Sequence, residues 1–113
     1  MSTTADPLTD VRVAELVARV GEGRDVRRRW VGATSTVLQL GPDRTVKVPH
    51  DDPEAVRVCL LHAEVCRSVR RLGVRAPEVL GVHQLPGWPV PVVVSRLLPG
   101  DALEAGADRK SVV

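Results

Sequence analysis

The 113-residue sequence predicts an α+β fold, a five-stranded antiparallel sheet with a packed helix. Three observations predict it. Three short stretches between residues 26 and 48 are joined by connections of a few residues, and connections that short join antiparallel neighbours. A long segment beginning at Asp51-Asp52-Pro53-Glu54 combines a strong helix start with apolar residues at helical spacing. Two further β-rich stretches then follow, separated by a turn from Gln84 to Trp88.

Taken in order, Asp6-Pro7 offers a cap and a first-turn proline, and Val13, Leu16, Val17 and Val20 recur at helical spacing until Gly21. Val26 to Val31 is the first strand. A break at Gly32-Ala33-Thr34-Ser35 separates it from Thr36 to Leu40, and the turn Gly41-Pro42-Asp43-Arg44 leads into Thr45 to Val48, completing a meander. Asp52 can cap the next helix, Pro53 fits its first position, and Glu54 suits the positive end of its dipole. The helix is expected to run to about Leu72, with Val58, Leu61, Val65, Val69 and Leu72 as its apolar series and Gly73 as its stop. Ala76-Pro77 opens a strand through Val82, and Val90 to Arg96 forms the last.

Sixteen basic residues against fourteen acidic give a formal charge of +2. So weak a field gives no reason to expect nucleic acid or an anionic membrane as partner. No apolar run approaches the ~20 residues of a membrane span, and the start has neither a basic nor an apolar leader region, so the expected location is the cytoplasm. Cys59 and Cys66 stand two helical turns apart, roughly 10 Å, and cannot bridge each other. His62 lies between them on nearly the same face, but sulfurs so far apart cannot converge on one zinc. His50-Asp51-Asp52 is explained by capping.

Lys47 is the most informative residue. Arg fills fourteen of the sixteen basic positions, yet a Lys stands in Thr45-Val46-Lys47-Val48-Pro49; the other, Lys110, is near the end. An ammonium is a compact point charge that meets phosphate or carboxylate where a planar guanidinium fits poorly. With Glu64 in Leu61-His62-Ala63-Glu64-Val65, the Gly32-Ala33-Thr34-Ser35-Thr36 loop, and Val92-Val93-Val94-Ser95-Arg96-Leu97-Leu98-Pro99-Gly100-Asp101-Ala102-Leu103, the sequence over about residues 21 to 104 resembles the amino-terminal lobe of the aminoglycoside phosphotransferase and choline kinase-like family, relatives of the protein kinases.

The resemblance implies a nucleotide site for ATP. It implies that Lys47 contacts the α- and β-phosphates and that Glu64 holds Lys47 by an ion pair. It implies that Gly32, Thr34 and Ser35 cover the phosphates through backbone N–H groups and hydroxyls. Adenine would dock on the Ser95 carbonyl and the Leu97 N–H, with Val31, Val46 and Val94 as apolar walls. The alternatives are that Lys47 guards an edge strand and that Glu64 pairs with Arg67 or Ser68 along its own helix.

The family's His-Gly-Asp catalytic loop, downstream Asn and metal-binding Asp do not follow Gly100. No catalytic residue is therefore expected in this chain, and magnesium and a small-molecule hydroxyl substrate are expected only of a complete parent. Asp108-Arg109-Lys110-Ser111-Val112-Val113 can be back-translated as GAT CGG AAG AGC GTC GTG, which resembles the start of a short-read sequencing adapter. The expected organisation is an amino-terminal helix over 1–21, the nucleotide-binding lobe over 22–104, and a truncated end over 105–113 that is non-native from 108. The alternative function is a non-catalytic module that binds an anionic partner through Arg27, Arg28 and Arg29, recognisable by salt-dependent affinity for nucleic acid and no response to ATP.

Overall fold

The computed structural model describes residues 8–97. Helix α1 (Asp10–Val20) precedes strands β1 (Val26–Val31), β2 (Ser35–Leu40) and β3 (Arg44–Pro49), followed by helix α2 (Pro53–Arg71) and strands β4 (Glu78–His83) and β5 (Val92–Arg96). All five strands form one antiparallel sheet in the order β1-β2-β3-β5-β4, so the last strand inserts between β3 and β4. The fold is α+β, with two helices and the expected sheet.

Turn chemistry sets the meander. Gly41, at φ 59°, begins the β2–β3 turn in a conformation that side chains rarely adopt, and its N–H donates to the Asp25 carbonyl. The end of α2 is a Schellman motif: Val74 N–H returns to the Val69 carbonyl and Gly73 N–H to the Arg70 carbonyl, with Gly73 at φ 87°. Arg24 grips the Asp43 carboxylate at the turn with Nε to Oδ1 at 2.8 Å and NH2 to Oδ2 at 3.1 Å. This hydrogen-bonded pair and the Arg24 charge hold the Asp43 pKa below the usual carboxylate range.

Helix α1 starts later than its sequence suggests. Thr9 is the cap, its hydroxyl accepting from Arg12 N–H at 3.2 Å, while Asp6 and Pro7 lie outside the described residues. Both Thr9 and Asp6 are competent caps, and the apolar face of the helix begins within reach of Thr9. Cap and first-turn proline at α2 are as expected: the Asp52 carboxylate accepts from Ala55 N–H at 2.9 Å and Pro53 follows. Asp52→Ala is expected to lower stability by about 1 kcal/mol, read as a lower urea midpoint with an unchanged slope.

The sheet has two differently furnished faces. Leu38, Leu40, Val46, Val48, Val92 and Val94 point to one side and form the main core with Leu16 and Val20 of α1 and with Leu85, Trp88 and Val90 from the β4–β5 connection. The other side carries Val93, which packs with Cys59 and Ala63 of α2. The helix turns a small-residue face, Ala55, Cys59, Ala63 and Cys66, to the sheet.

That orientation corrects the apolar series expected to pack. Val58, Leu61, Val65 and Leu72 are exposed. Two stripes at the same helical spacing run along α2, and the one with Ala and Cys wins because small side chains let the backbone approach a sheet face already filled with valines. Strand ends also move: β5 begins at Val92 rather than Val90, because Val90 is buried in the connection beside Trp88. Leu98 and the Pro99 to Leu103 segment, with the 105–113 end, lie outside the described residues.

A candidate nucleotide cleft between the sheet and the second helix

Cross-strand register builds the site. Trp30 pairs with Val37, Val37 with Lys47, Lys47 with Val93, and Val93 with Val82, so these five share one row and one face. Thr45, two residues before Lys47, pairs with Ser95, which in turn pairs with Val79. Across from these rows, Cys59, His62, Ala63 and Cys66 recur at positions i, i+3, i+4 and i+7 and form one helical face. Between them lies a cleft of about 240 Å³, lined by Val37, Thr45, Lys47, Cys59, His62, Ala63, Cys66, Pro77, Val79, Val93, Ser95 and Leu97.

The cleft is mainly apolar, and its charge comes from one group. Lys47 Nζ lies 3.0 Å from His62 Nδ1. A lysine ammonium donates only, so Nδ1 accepts, and the neutral imidazole carries its proton on Nε2. Desolvation against the sheet, then the Lys47 charge, lower the His62 pKa from its ordinary value. Burial raises that of Cys59, with the Lys47 charge opposing, so this thiol is no reactive thiolate. Among the described residues no three His, Cys, Asp or Glu side chains form a metal-binding group.

The predicted site residues divide. Lys47, Ser95 and Leu97 line the cleft, whereas Glu64, Gly32, Thr34 and Ser35 do not. Glu64 is exposed and forms no ion pair with Lys47, whose partner is His62. Two residues is roughly 200° of helix, so an α2 that turns His62 to the sheet turns Glu64 outward. β3 is paired on both sides, which removes the edge-strand explanation for Lys47.

The backbone contacts expected for adenine are already used. Leu97 N–H donates to the Asp43 carbonyl at 2.7 Å. Ser95 sits in a strand paired on both flanks, with Thr45 and Val79 opposite it. Both residues nonetheless line the cleft. The expected walls also change: Val46 and Val94 point into the main core and Val31 is exposed, because the face is set by the parity of Lys47 along its strand. Val37, Val79 and Val93 take their place.

The 32–35 connection is a tight hairpin end. Gly32 N–H donates to the Ser35 carbonyl at 2.8 Å, and the Thr34 carbonyl accepts from His50 N–H at 2.9 Å. Ser35 opens β2 opposite Pro49, two residues beyond Lys47 along β3. On β1, Arg27, Arg28 and Arg29 are exposed; the Arg28 guanidinium lies 5.9 Å from the Trp30 ring centre and Arg29 donates to the Leu8 carbonyl. A register shift between Val26 and Arg28 breaks the simple alternation of this run.

Sequence reasoning missed His62 as the partner of Lys47. The signal was present: Cys59, His62 and Cys66 share a face, and Ala63 falls on it too. No helix among the described residues is long and apolar enough to cross a membrane. Comparison with family models, curated proteins and solved structures finds no match to this chain.

Proposed function

We propose that the cleft binds a nucleotide and that the chain is the ATP-binding lobe of a small-molecule phosphotransferase resembling the aminoglycoside phosphotransferases. The observation that carries this is the Lys47 ammonium, set on a central strand at the mouth of a cleft of about 240 Å³ whose other walls are nearly all apolar. A flat heteroaromatic base suits the slot between Val37, Val79 and Val93 on the sheet and Cys59, Ala63 and Cys66 on α2. Thr45 and Ser95 are cross-strand partners that both line the cleft, and their hydroxyls would supply hydrogen bonds for its edge. The ammonium then suits the phosphates.

No carboxylate lines the cleft among the described residues, so those residues do not fit magnesium, which takes oxygen ligands. In this proposal the chain positions the nucleotide. The groups that would accept a hydroxyl proton and bind the metal belong to a complete parent, which would transfer the γ-phosphate to a polar small molecule.

Trp30 supplies the test. It lies two strands from Lys47 in the same row, about 10 Å at ordinary strand spacing, whereas Trp88 is buried on the opposite face. ATP is expected to change Trp30 fluorescence saturably, and Trp30→Phe to remove that signal while calorimetric affinity stays. Absence of ATP binding to the folded chain by calorimetry overturns the proposal.

A further inference from the structure

A lysine in a phosphate site held by a histidine differs from one held by a carboxylate in its charge balance. A Lys–carboxylate pair is neutral, and the incoming phosphate must compete with the carboxylate for the ammonium. The pair of Lys47 with His62 keeps its full positive charge while the imidazole is neutral. Protonation ends the acceptor role of Nδ1 and turns the ring into a second cation with two donors.

Resting on the nucleotide proposal, we infer that His62 is a proton-dependent second phosphate contact: neutral, it positions Lys47 in the empty cleft, and protonated, it joins Lys47 on the phosphate chain. Nucleotide binding therefore takes up a proton.

Among the described residues that line the cleft, this histidine has no ionic partner other than Lys47. Facing it from β3 is Lys47, and α2 itself contributes Cys59 and Cys66. The cleft residues from β2, β4 and β5 are Val37, Val79, Val93 and Ser95, with no carboxylate among them. Glu78 of β4 is engaged with Arg96 at 3.4 Å. His62 is exposed enough to turn toward a ligand at the mouth. In the free protein, desolvation and then the Lys47 charge lower the His62 pKa from its ordinary value. A polyphosphate placed at Lys47 reverses the sign of the nearby charge and favours the protonated ring.

The linkage has a definite direction. The complex binds more protons than the free protein between the free and bound pKa values of His62, so affinity rises as pH falls through that window and is level on either side. Each unit by which the phosphates raise the His62 pKa is worth about tenfold in affinity.

The test is ATP calorimetry between pH 5.5 and 8 on the chain and on His62→Gln, whose amide oxygen can still accept from Lys47. The comparison cancels the titration of ATP itself. Wild type is expected to tighten by about tenfold more than the variant on acidification, and nitrogen-15 NMR is expected to show the Nε2–H tautomer of His62 in the free chain and a raised pKa with ATP. Identical pH profiles for the two proteins, with ATP still bound, overturn the role of His62 and leave the nucleotide proposal standing. Failure of both folded proteins to bind ATP at any pH overturns the nucleotide proposal and this inference with it.

Discussion

Lys47→Ala is expected to weaken ATP binding by roughly 100-fold while leaving adenosine binding nearly unchanged. Hydrogen bonds to a charged partner contribute about 1.5–3 kcal/mol each, and about 2.7 kcal/mol is a factor of 100 in affinity. Among the described residues Lys47 is the one lysine or arginine that lines the cleft, so no other ammonium or guanidinium there substitutes for it, and a protonated His62 on the phosphates accounts for the binding that is left. Adenosine carries no phosphate and draws on Val37, Val79 and Val93, which the substitution does not touch.

The paired ligands separate two ways in which the variant could fail. Loss of ATP alone assigns a phosphate contact to Lys47. Loss of both ligands instead identifies collapse of the cleft, since the lysine stem lies between Val37 and Val93 in its row. Lys47→Arg keeps the charge but is expected to recover little of the affinity, because a planar fork needs more width than an ammonium beside a ring nitrogen 3.0 Å away. Calorimetry with ATP and adenosine on the three proteins checks this. Equal ATP affinity in wild type and Lys47→Ala refutes the phosphate role.

How much of this was legible in the sequence depends on the kind of signal. The α2 start was legible because Asp52 and Pro53 act locally, through one hydrogen bond and one fixed dihedral. The meander was legible because Gly41 and its turn leave no room for a crossover. The inserted order of β5 between β3 and β4 was not derivable from local chemistry, since it depends on which strand edges remain open after α2 has crossed. Lys47 stood out through composition. Its partner did not, because choosing between His62 and Glu64 requires the rotation of α2 about its axis. That rotation is set by close packing of Ala63 and Cys59 on Val93, a term to which hydrophobic periodicity is nearly blind when the competing stripe holds larger residues.

Leu38→Ala gives the largest expected change in stability and, beside Leu61→Gln, tests that rotation. Leu38 is fully buried in the main core, opposite Val46 in the ladder and in the same cluster as Leu16. Truncating a leucine in such a position removes its transfer free energy and leaves a cavity, about 3–5 kcal/mol in all. Domains of this size have about 5–15 kcal/mol of stability, so a large share is expected to vanish, read as a fall in the urea midpoint. Leu61 is 55% exposed on the outer face of α2, and its change to Gln is expected to stay within about 0.5 kcal/mol. The two leucines differ little by composition or local pattern. If Leu61→Gln proves as costly as Leu38→Ala, α2 turns its larger apolar stripe to the sheet, His62 swings off Lys47, and the cleft described here does not exist.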